Sequence, residues 1–237
     1  MFTVNLAEVM LMQLLSRFEH GFFDRREDVK KHPGGKRLPV EDKSPRQDPD
    51  AVVLHAMGFN RLSYWRYDGV KAHFAVLRDG KVLYLHDISE YLNASHDFNR
   101  RGVAIEFAGN PPNANGNYYK PEKFGKHIPT REQILGGRAL VRALVDARGV
   151  TQIFGHRQSC GSKICPGPHL WYNVGRWAVE QLGLSDGGEG YSTSNKYCTG
   201  RVIPESWLDE KWEIETSTAS PFPAPDWMRS GMYCTPP

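Results

Sequence analysis

Three side chains that can bind a metal ion occur where short strands are predicted to end. His55 lies in VVLHAM, His156 in FGHRQ and Cys165 in KICPGP. Two imidazoles and one thiolate, with a fourth position left to water, form a ligand set suited to an open catalytic zinc site. His156 and Cys165 are nine positions apart, so a single loop can bring both to the same ion.

The same residue types also have an ordinary structural explanation. A histidine at the end of a strand is more often a packed or surface side chain than a ligand, and a buried cysteine usually behaves as a small apolar residue. The chain has nine histidines, so accidental groups of three are easy to assemble. From residue type and spacing alone, both explanations stay open.

The elements that would position these side chains alternate between strands and helices. Strands are predicted in AVVLHAM, on both sides of Asp79-Gly80 in KAHFAVLRDGKVLYLHD, in GVAIEFAGN and in VTQIFGHRQ. Asp-Gly between two apolar runs is a strong hairpin signal. Strands interleaved with helices predict an α/β fold, with a mixed central β-sheet flanked by helices.

Two helices are predicted in the second half of the chain. Thr130 and Gln133 have the spacing of a capping box, and Gly149 can end the helix that they begin. The second helix is predicted from about His169 to Leu182. The segment 110–129, rich in Asn, Pro, Gly and Tyr, is predicted to be a long surface loop, and loops of this length are usually functional or disordered.

Composition divides the chain into a core domain at 51–184, an N-terminal helix and polar linker at 1–50, and a C-terminal extension at 185–237. Residues 1–23 have helical periodicity, whereas residues 24–50 are charged and contain proline, which predicts an exposed connection. The N-terminus lacks a basic n-region and carries Glu8 before its best apolar run, so a secretory signal is not expected. No run reaches the ~18–20 apolar residues that a membrane helix needs.

Net charge and cysteine content exclude few functional classes. The net charge of +3 comes without a dense basic stripe, which argues against nucleic-acid binding and is compatible with an anionic polymer. The chain has four cysteines, and Cys198 and Cys234 both lie in the C-terminal tail, where they could pair. A chain of this length does not need disulfides to fold.

The stretch from Val52 to about Leu182 resembles the zinc amidase family that includes N-acetylmuramoyl-L-alanine amidases, amidase-type phage lysozymes and peptidoglycan recognition proteins. The matching pieces occur in the family's order: VVLHAM, HFAVLRDGKVLYLHD, NASHDFN, GVAIEFAGN, the TREQ helix, FGHRQ and KICPGP. The resemblance implies one Zn²⁺ ion with His55, His156 and Cys165 as ligands. It implies hydrolysis of the amide bond between N-acetylmuramic acid and L-alanine of the peptide stem of bacterial peptidoglycan.

The resemblance also implies roles for other residues. Glu106 matches a glutamate that acts as general base, and Lys163 matches a lysine that stabilises the developing oxyanion. His96 and Arg157 are expected to bind substrate. Ala72 stands where some phage and animal relatives carry a catalytic tyrosine, which indicates the glutamate-dependent subgroup. Without the resemblance, Glu106 and Lys163 would be explained as solvated side chains, although the apolar neighbours of Glu106 weaken that explanation.

Two other functional classes stay open beside the hydrolase. Some relatives keep the fold, lose the metal and only bind peptidoglycan or muropeptides, but here the full ligand set is present. A regulatory protein could use the 110–129 loop, and the terminal extensions could bind a delivery or docking partner. The protein is expected to be made in the cytoplasm without a classical signal peptide. It is expected to act on the cell wall or in the periplasm, as a phage endolysin or a delivered antibacterial effector, with a recycling enzyme as a further possibility.

Overall fold

The fold is built on a mixed β-sheet. The computed structural model describes residues 6–31, 48–162 and 164–216. Six strands lie in the order β1-β4-β3-β5-β2-β6, and of their neighbouring pairs only β3 with β4 is antiparallel. The strands are β1 (Phe22–Asp24), β2 (Ala51–Ala56), β3 (Phe74–Val76), β4 (Val82–Tyr84), β5 (Gly102–Phe107) and β6 (Gln152–Gly155).

Helices flank this sheet, which confirms the predicted fold class. They are α1 (Leu6–Leu15), α2 (Arg26–Lys31), α3 (Pro121–Phe124), α4 (Arg131–Arg148), α5 (Pro168–Leu170) and α6 (Trp177–Leu182). A π-helical segment, Trp171–Arg176, joins α5 to α6, so the helix predicted from about His169 is one continuous helical run with a wider middle turn. Within the described ranges, every helix is too short or too polar to cross a bilayer.

The predicted hairpin and the predicted long helix are both confirmed. The backbone N–H of Leu77 donates to the carbonyl of Lys81 at 2.8 Å across the β3–β4 turn. Gly80 has a φ of +83°, a left-handed conformation that glycine adopts at little cost. Thr130 Oγ1 accepts from the backbone N–H of Gln133 at the start of α4, and Gly149 ends the helix with a φ of 65°.

The Gln133 side chain has a different role from the one predicted. It does not complete the capping box. Its Nε2 donates to the carbonyls of Val76 at 2.9 Å and Ala108 at 2.8 Å, just where β3 and β5 end. Gln133 is buried, and a buried amide is stable only when hydrogen-bonded. Sheet carbonyls therefore hold the first turn of α4 in place.

Along the neighbouring strands β3 and β5, the two faces of the sheet differ in residue size. Side chains alternate between the faces of a strand. The face that packs against α1 and α4 carries large apolar residues: Val52, Leu54, Phe74, Val76, Val103, Ile105 and Phe107. The other face carries the buried alanines Ala51, Ala75 and Ala104, with His55 and Glu106 near the strand ends, and its larger buried residues are Val53, Leu83 and Phe154. The small residues leave room for the segments that cover this second face.

The N-terminal prediction of one helix over 1–23 is wrong in part. α1 ends at Leu15, and Phe22–Asp24 forms the edge strand β1, which pairs in parallel with β4. A three-residue strand is too short to show a periodic pattern in the sequence. It forms because it pairs with the neighbouring strand β4. Within α1, Leu11 and Leu15 are fully buried.

The predicted exposed connection at 24–50 begins instead with a packed element, α2. Arg26 forms ion pairs with three carboxylates, those of Glu8, Asp24 and Asp87. Its guanidinium carbon also lies 4.1 Å from the ring centroid of Tyr84. Residues 32–47 of the predicted connection lie outside the described residues.

The segment 110–129 is a surface loop, as predicted, but it has internal order. It contains the single turn α3. At its start the buried Asn110 side chain donates from Nδ2 to the carbonyls of Tyr119 at 2.7 Å and Gly125 at 2.8 Å. One amide therefore holds both limbs of the loop together.

Candidate metal centre

The structure brings His55, His156 and Cys165 together. One ligand atom from each lies within 4.8 Å of the others. Cys165 Sγ is 3.4 Å from His156 Nδ1, and the two imidazole centroids are 4.4 Å apart. Both histidines are buried and Cys165 is half-buried.

Sheet topology explains how these residues meet. His55 is near the end of β2, a central strand that pairs in parallel with both β5 and β6. His156 directly follows β6, so both histidines leave the sheet at the edge where these parallel strands end. The backbone N–H of Arg157 donates to the carbonyl of Cys165 at 3.1 Å, which folds the loop back onto the turn that carries His156.

A layer of hydroxyl groups supports the two histidines. Ser95 Oγ lies 2.9 Å from His55 Nε2. Ser159 Oγ is within hydrogen-bond distance of the carbonyls of Ser95, at 2.9 Å, and His156, at 3.0 Å. A side-chain partner such as Ser95 fixes the ring orientation of a metal-binding histidine, whereas Ser159 connects the backbone of the two segments. The family resemblance points to His96, but no sequence pattern marks its neighbour Ser95, whose contact with His55 is visible only in three dimensions.

The donor set fits a zinc ion. Imidazole nitrogen and thiolate sulfur are its preferred ligands, and tetrahedral zinc holds such atoms about 3.5 Å apart. The separation of 3.4 Å between Cys165 Sγ and His156 Nδ1 already meets that requirement. With all three ligand atoms no more than 4.8 Å apart, only small side-chain shifts are needed to close the set.

Glu106 lies beside this cluster. It is the register partner of His55 across the β2–β5 pair, so the two side chains leave the same face of the sheet. Its Oε2 is buried and has no hydrogen-bond partner in the described ranges. Burial raises the pKa of Glu106 to about 8. Because no hydrogen-bond donor among the described residues reaches this oxygen, a nearby cation would strongly stabilise the charged form of Glu106.

The remaining predicted site residues have different placements. The His96 ring lies 5.4 Å from the His156 ring, and its φ of 51° is left-handed. The Arg157 guanidinium carbon lies 4.7 Å from the centroid of Trp207. Burial, and then the charge of Arg201, lower the pKa of Arg157. Lys163 lies outside the described residues.

The cysteines pair differently from the pairing considered above. Cys198 forms a disulfide with Cys160, so a bond between Cys198 and Cys234 is wrong, and Cys234 itself lies outside the described residues. Four cysteines allow several pairings that sequence cannot separate. The Cys160–Cys198 disulfide forms because the C-terminal segment passes next to the loop between His156 and Cys165. Cys165 takes part in no disulfide.

The central part of the chain is similar to known proteins. The family model described as N-acetylmuramoyl-L-alanine amidase matches residues 45–168, just over half of the chain. The solved structure of N-acetylmuramoyl-L-alanine amidase LysC from Clostridium intestinale URNW is 19% identical, with 60% of this chain and 90% of that chain covered and a TM-score of 0.46. Drosophila PGRP-LB is 15% identical, with 71% and 98% covered and a TM-score of 0.48.

A bacteriophage protein, the Ph2119 endolysin from Thermus scotoductus MAT2119 bacteriophage Ph2119, is 18% identical, with 62% and 91% covered and a TM-score of 0.41. No curated protein matches the chain. The family match includes His55, Glu106, His156 and Cys165. Because it extends over more than half of the sequence, this protein belongs to the N-acetylmuramoyl-L-alanine amidase family.

Proposed function

We propose that this protein is a zinc-dependent amidase that hydrolyses the bond between N-acetylmuramic acid and L-alanine in bacterial peptidoglycan. The cluster of His55, His156 and Cys165, with Glu106 as the strand neighbour of His55, is the observation that carries the proposal. Membership of the amidase family supports the choice of substrate. A module that only binds peptidoglycan would not need a complete ligand set beside a buried carboxylate.

Glu106 is the residue that we propose to move protons. A zinc ion held by the cluster would lower the pKa of a water molecule to about 7 and polarise the scissile carbonyl. Glu106 would accept a proton from the attacking water and pass it to the amide nitrogen. The second transfer matters because the nitrogen must leave as a neutral amine. Ala72, fully buried and without a hydroxyl, leaves Glu106 as the base, in line with a glutamate-dependent subgroup.

The family resemblance supports roles in substrate binding and catalysis for three further residues. We assign Lys163 to the negative charge that develops on the carbonyl oxygen during attack, since a fixed positive charge there lowers the barrier. His96, with its ring near that of His156, and Arg157 are assigned to substrate binding. Peptide stems carry carboxylates, which a guanidinium recognises well.

The setting that we propose is the bacterial cell wall, where the protein would act as an endolysin or as a delivered antibacterial effector. We keep residues 51–184 as the catalytic unit, with 1–50 and 185–237 as additions to it. A delivery or docking role for these additions is a separate prediction, which deletion of residues 217–237 can test by comparing delivery with hydrolysis.

Digestion of purified peptidoglycan tests the proposed function. Zinc-loaded protein, chelator-treated protein and the Glu106→Gln variant are incubated with sacculi, and the products are identified by mass spectrometry. The proposal predicts free peptide stems that begin with L-alanine, lost with chelator and restored by zinc. Binding to sacculi without any released stem, from folded and zinc-loaded protein, would show a recognition module instead.

A further inference from the structure

A segment beyond the family match borders the candidate metal centre. We call residues 191–201 the strap. The family model ends at 168, so the strap belongs to the part of the chain that this model does not match. It runs beside the loop between His156 and Cys165, the two ligands that are close in sequence.

Backbone hydrogen bonds join the strap to this loop at three points. Within the strap, the N–H of Thr193 donates to Gln158 O at 2.8 Å, and Arg201 N–H donates to Arg157 O at 2.8 Å. From the loop, Gly161 N–H donates to the carbonyl of Thr199 at 2.6 Å. The approach is so close that a Cβ on Gly200 would lie 1.9 Å from Gln158 O.

Two side-chain connections add to this backbone contact. The Cys160–Cys198 disulfide links the middle of the ligand loop to the strap. The Asn195 side chain donates from Nδ2 to Asp97 Oδ1, in the turn that also carries His96. Ser95, the hydrogen-bond partner of His55, directly precedes that turn. The strap therefore contacts both segments that cover the cluster.

We propose that the Cys160–Cys198 disulfide positions the loop that carries His156 and Cys165, so that its oxidation state sets the affinity of the site for zinc. This inference rests on the proposed function only in taking these residues as zinc ligands. Cys160 and Cys198 are positioning residues, because they act on the ion through the loop.

The physical reason is the entropy of the ligand loop. With the disulfide intact, the loop is cross-linked to the strap before any metal arrives, and little ordering remains to be done on binding. A dithiol reductant breaks the S–S bond with two electrons and two protons, giving two thiols and its own disulfide. The loop then loses its covalent cross-link and keeps its hydrogen bonds and packing contacts, so zinc binding must supply more of the ordering free energy.

The proposed change in zinc affinity fits a protein that is made in the cytoplasm and acts at the cell wall. Thiols stay reduced in the cytoplasm, whereas disulfides form and persist outside it. Zinc affinity would then be lowest where the protein is made and highest at the cell wall.

Zinc affinity of the full chain is the quantity to measure. Metal-free protein is prepared oxidised and, separately, reduced with a phosphine, which carries no thiol to compete for the metal. Zinc is titrated against a chromophoric chelator, and cobalt(II) is used to follow the absorption of the Cys165 thiolate ligand. The oxidised form should bind zinc about 10–100-fold more tightly, the scale found for residues that orient metal ligands.

The Cys160→Ala/Cys198→Ala double variant is the matched control. It should bind zinc like the reduced protein and should not respond to the phosphine, with its fold checked by circular dichroism. Equal zinc affinity of the oxidised and reduced wild-type protein would overturn the inference and leave the amidase proposal intact. No zinc binding in either state would overturn both. Because the wild-type comparison needs no substitution, a variant that fails to fold does not affect the outcome.

Discussion

His55 has two neighbours, Ser95 and Glu106, that affect it in different ways. Ser95 Oγ lies 2.9 Å from its Nε2 and holds the ring from one side. Glu106 is its neighbour on the adjacent strand and has no hydrogen-bond donor for Oε2 in the described part of the chain. One neighbour therefore fixes the ring geometry, whereas the other is a carboxylate whose negative charge is costly until a cation is present.

Replacing Glu106 with glutamine should separate metal binding from turnover. Glu106→Gln keeps the shape of the side chain and removes its basicity, so kcat should fall by about 10²–10⁴-fold, the usual contribution of a general base. Zinc content should not change. Release of peptide stems and metal analysis measure the two effects, with the exposed Glu122→Gln as control. Full turnover in Glu106→Gln would remove Glu106 from the mechanism.

His169 should make the fold sensitive to acid. Burial lowers the pKa of His169, and its Nδ1 has no hydrogen-bond partner among the described residues. A lowered pKa means that the unfolded chain binds a proton more readily. The stability contributed by neutral His169 is therefore present above about pH 6.5 and is lost as the pH falls through that value toward the folded-state pKa.

Urea unfolding at pH 8 and pH 5 measures this effect. His169→Phe keeps a ring against Trp212, whose centroid is 5.0 Å away, but cannot be protonated. The decrease in unfolding free energy from pH 8 to pH 5 should be smaller in His169→Phe than in the wild-type protein. Equal decreases in unfolding free energy in the two proteins would show that His169 has the same pKa in the folded and unfolded states.

Some residues of the site could be predicted from sequence and others could not. His156 and Cys165 are close in sequence, and the predicted loop does bring them to 3.4 Å. His55 needed the resemblance, because nothing local shows which strand adjoins β6. The residues around the cluster are harder still to predict, since Ser95 contacts His55 and Cys198 bonds to Cys160 only through tertiary folding.

At the level of secondary structure, α4 is fixed to the sheet by close backbone contact as well as by Gln133. A Cβ on Gly136 would lie 2.3 Å from the carbonyl oxygen of Gly80 in the β3–β4 turn. The contact is with backbone, which cannot move aside without shifting the hairpin. Gly136 is therefore required by packing, although glycine is unfavourable inside a helix.

Gly136→Ala should destabilise the fold by about 1–3 kcal/mol, because the cost of overpacking exceeds the gain in helix propensity. Gly69→Ala is the matched control, since a Cβ there would have nothing within 4 Å. That control should change stability by no more than about 0.5–1 kcal/mol. Equal effects of the two substitutions in thermal or urea unfolding would show that the α4 contact can relax.

Element predictions succeeded where local chemistry decides the outcome. Asp79-Gly80 and the Thr130 cap act within a few residues, and both occur as expected. β1 and the side chain of Gln133 were missed, because each is determined by a distant partner, β4 in one case and sheet carbonyls in the other. The periodicity of a sequence does not predict contacts with residues that are distant along the chain.

At the scale of the whole molecule, residues outside the family match share the central core. Leu11 of α1 and Trp207 near the end of the described chain belong to the same buried cluster as the strands. The three parts proposed from composition are therefore packed on one another through this core.

Leu11→Ala should test how much the N-terminal helix contributes. Leu11 is fully buried, so truncation should lower the free energy of unfolding by about 2–5 kcal/mol. Leu6→Ala is the control, since Leu6 lies in the same helix and is 79% exposed. A loss confined to α1 helicity, with an unchanged global transition, would show that α1 is dispensable for the core.

The unequal faces of the sheet have a consequence for sequence drift. On the side toward α4, positions such as Leu54 and Ile105 can tolerate other large apolar residues but not small ones. On the other side, Ala75 and Ala104 face the opposite restriction, because added volume would push away the segments that cover this face. A mutational scan should find that Leu54 and Ile105 reject small residues, whereas Ala75 and Ala104 reject large ones.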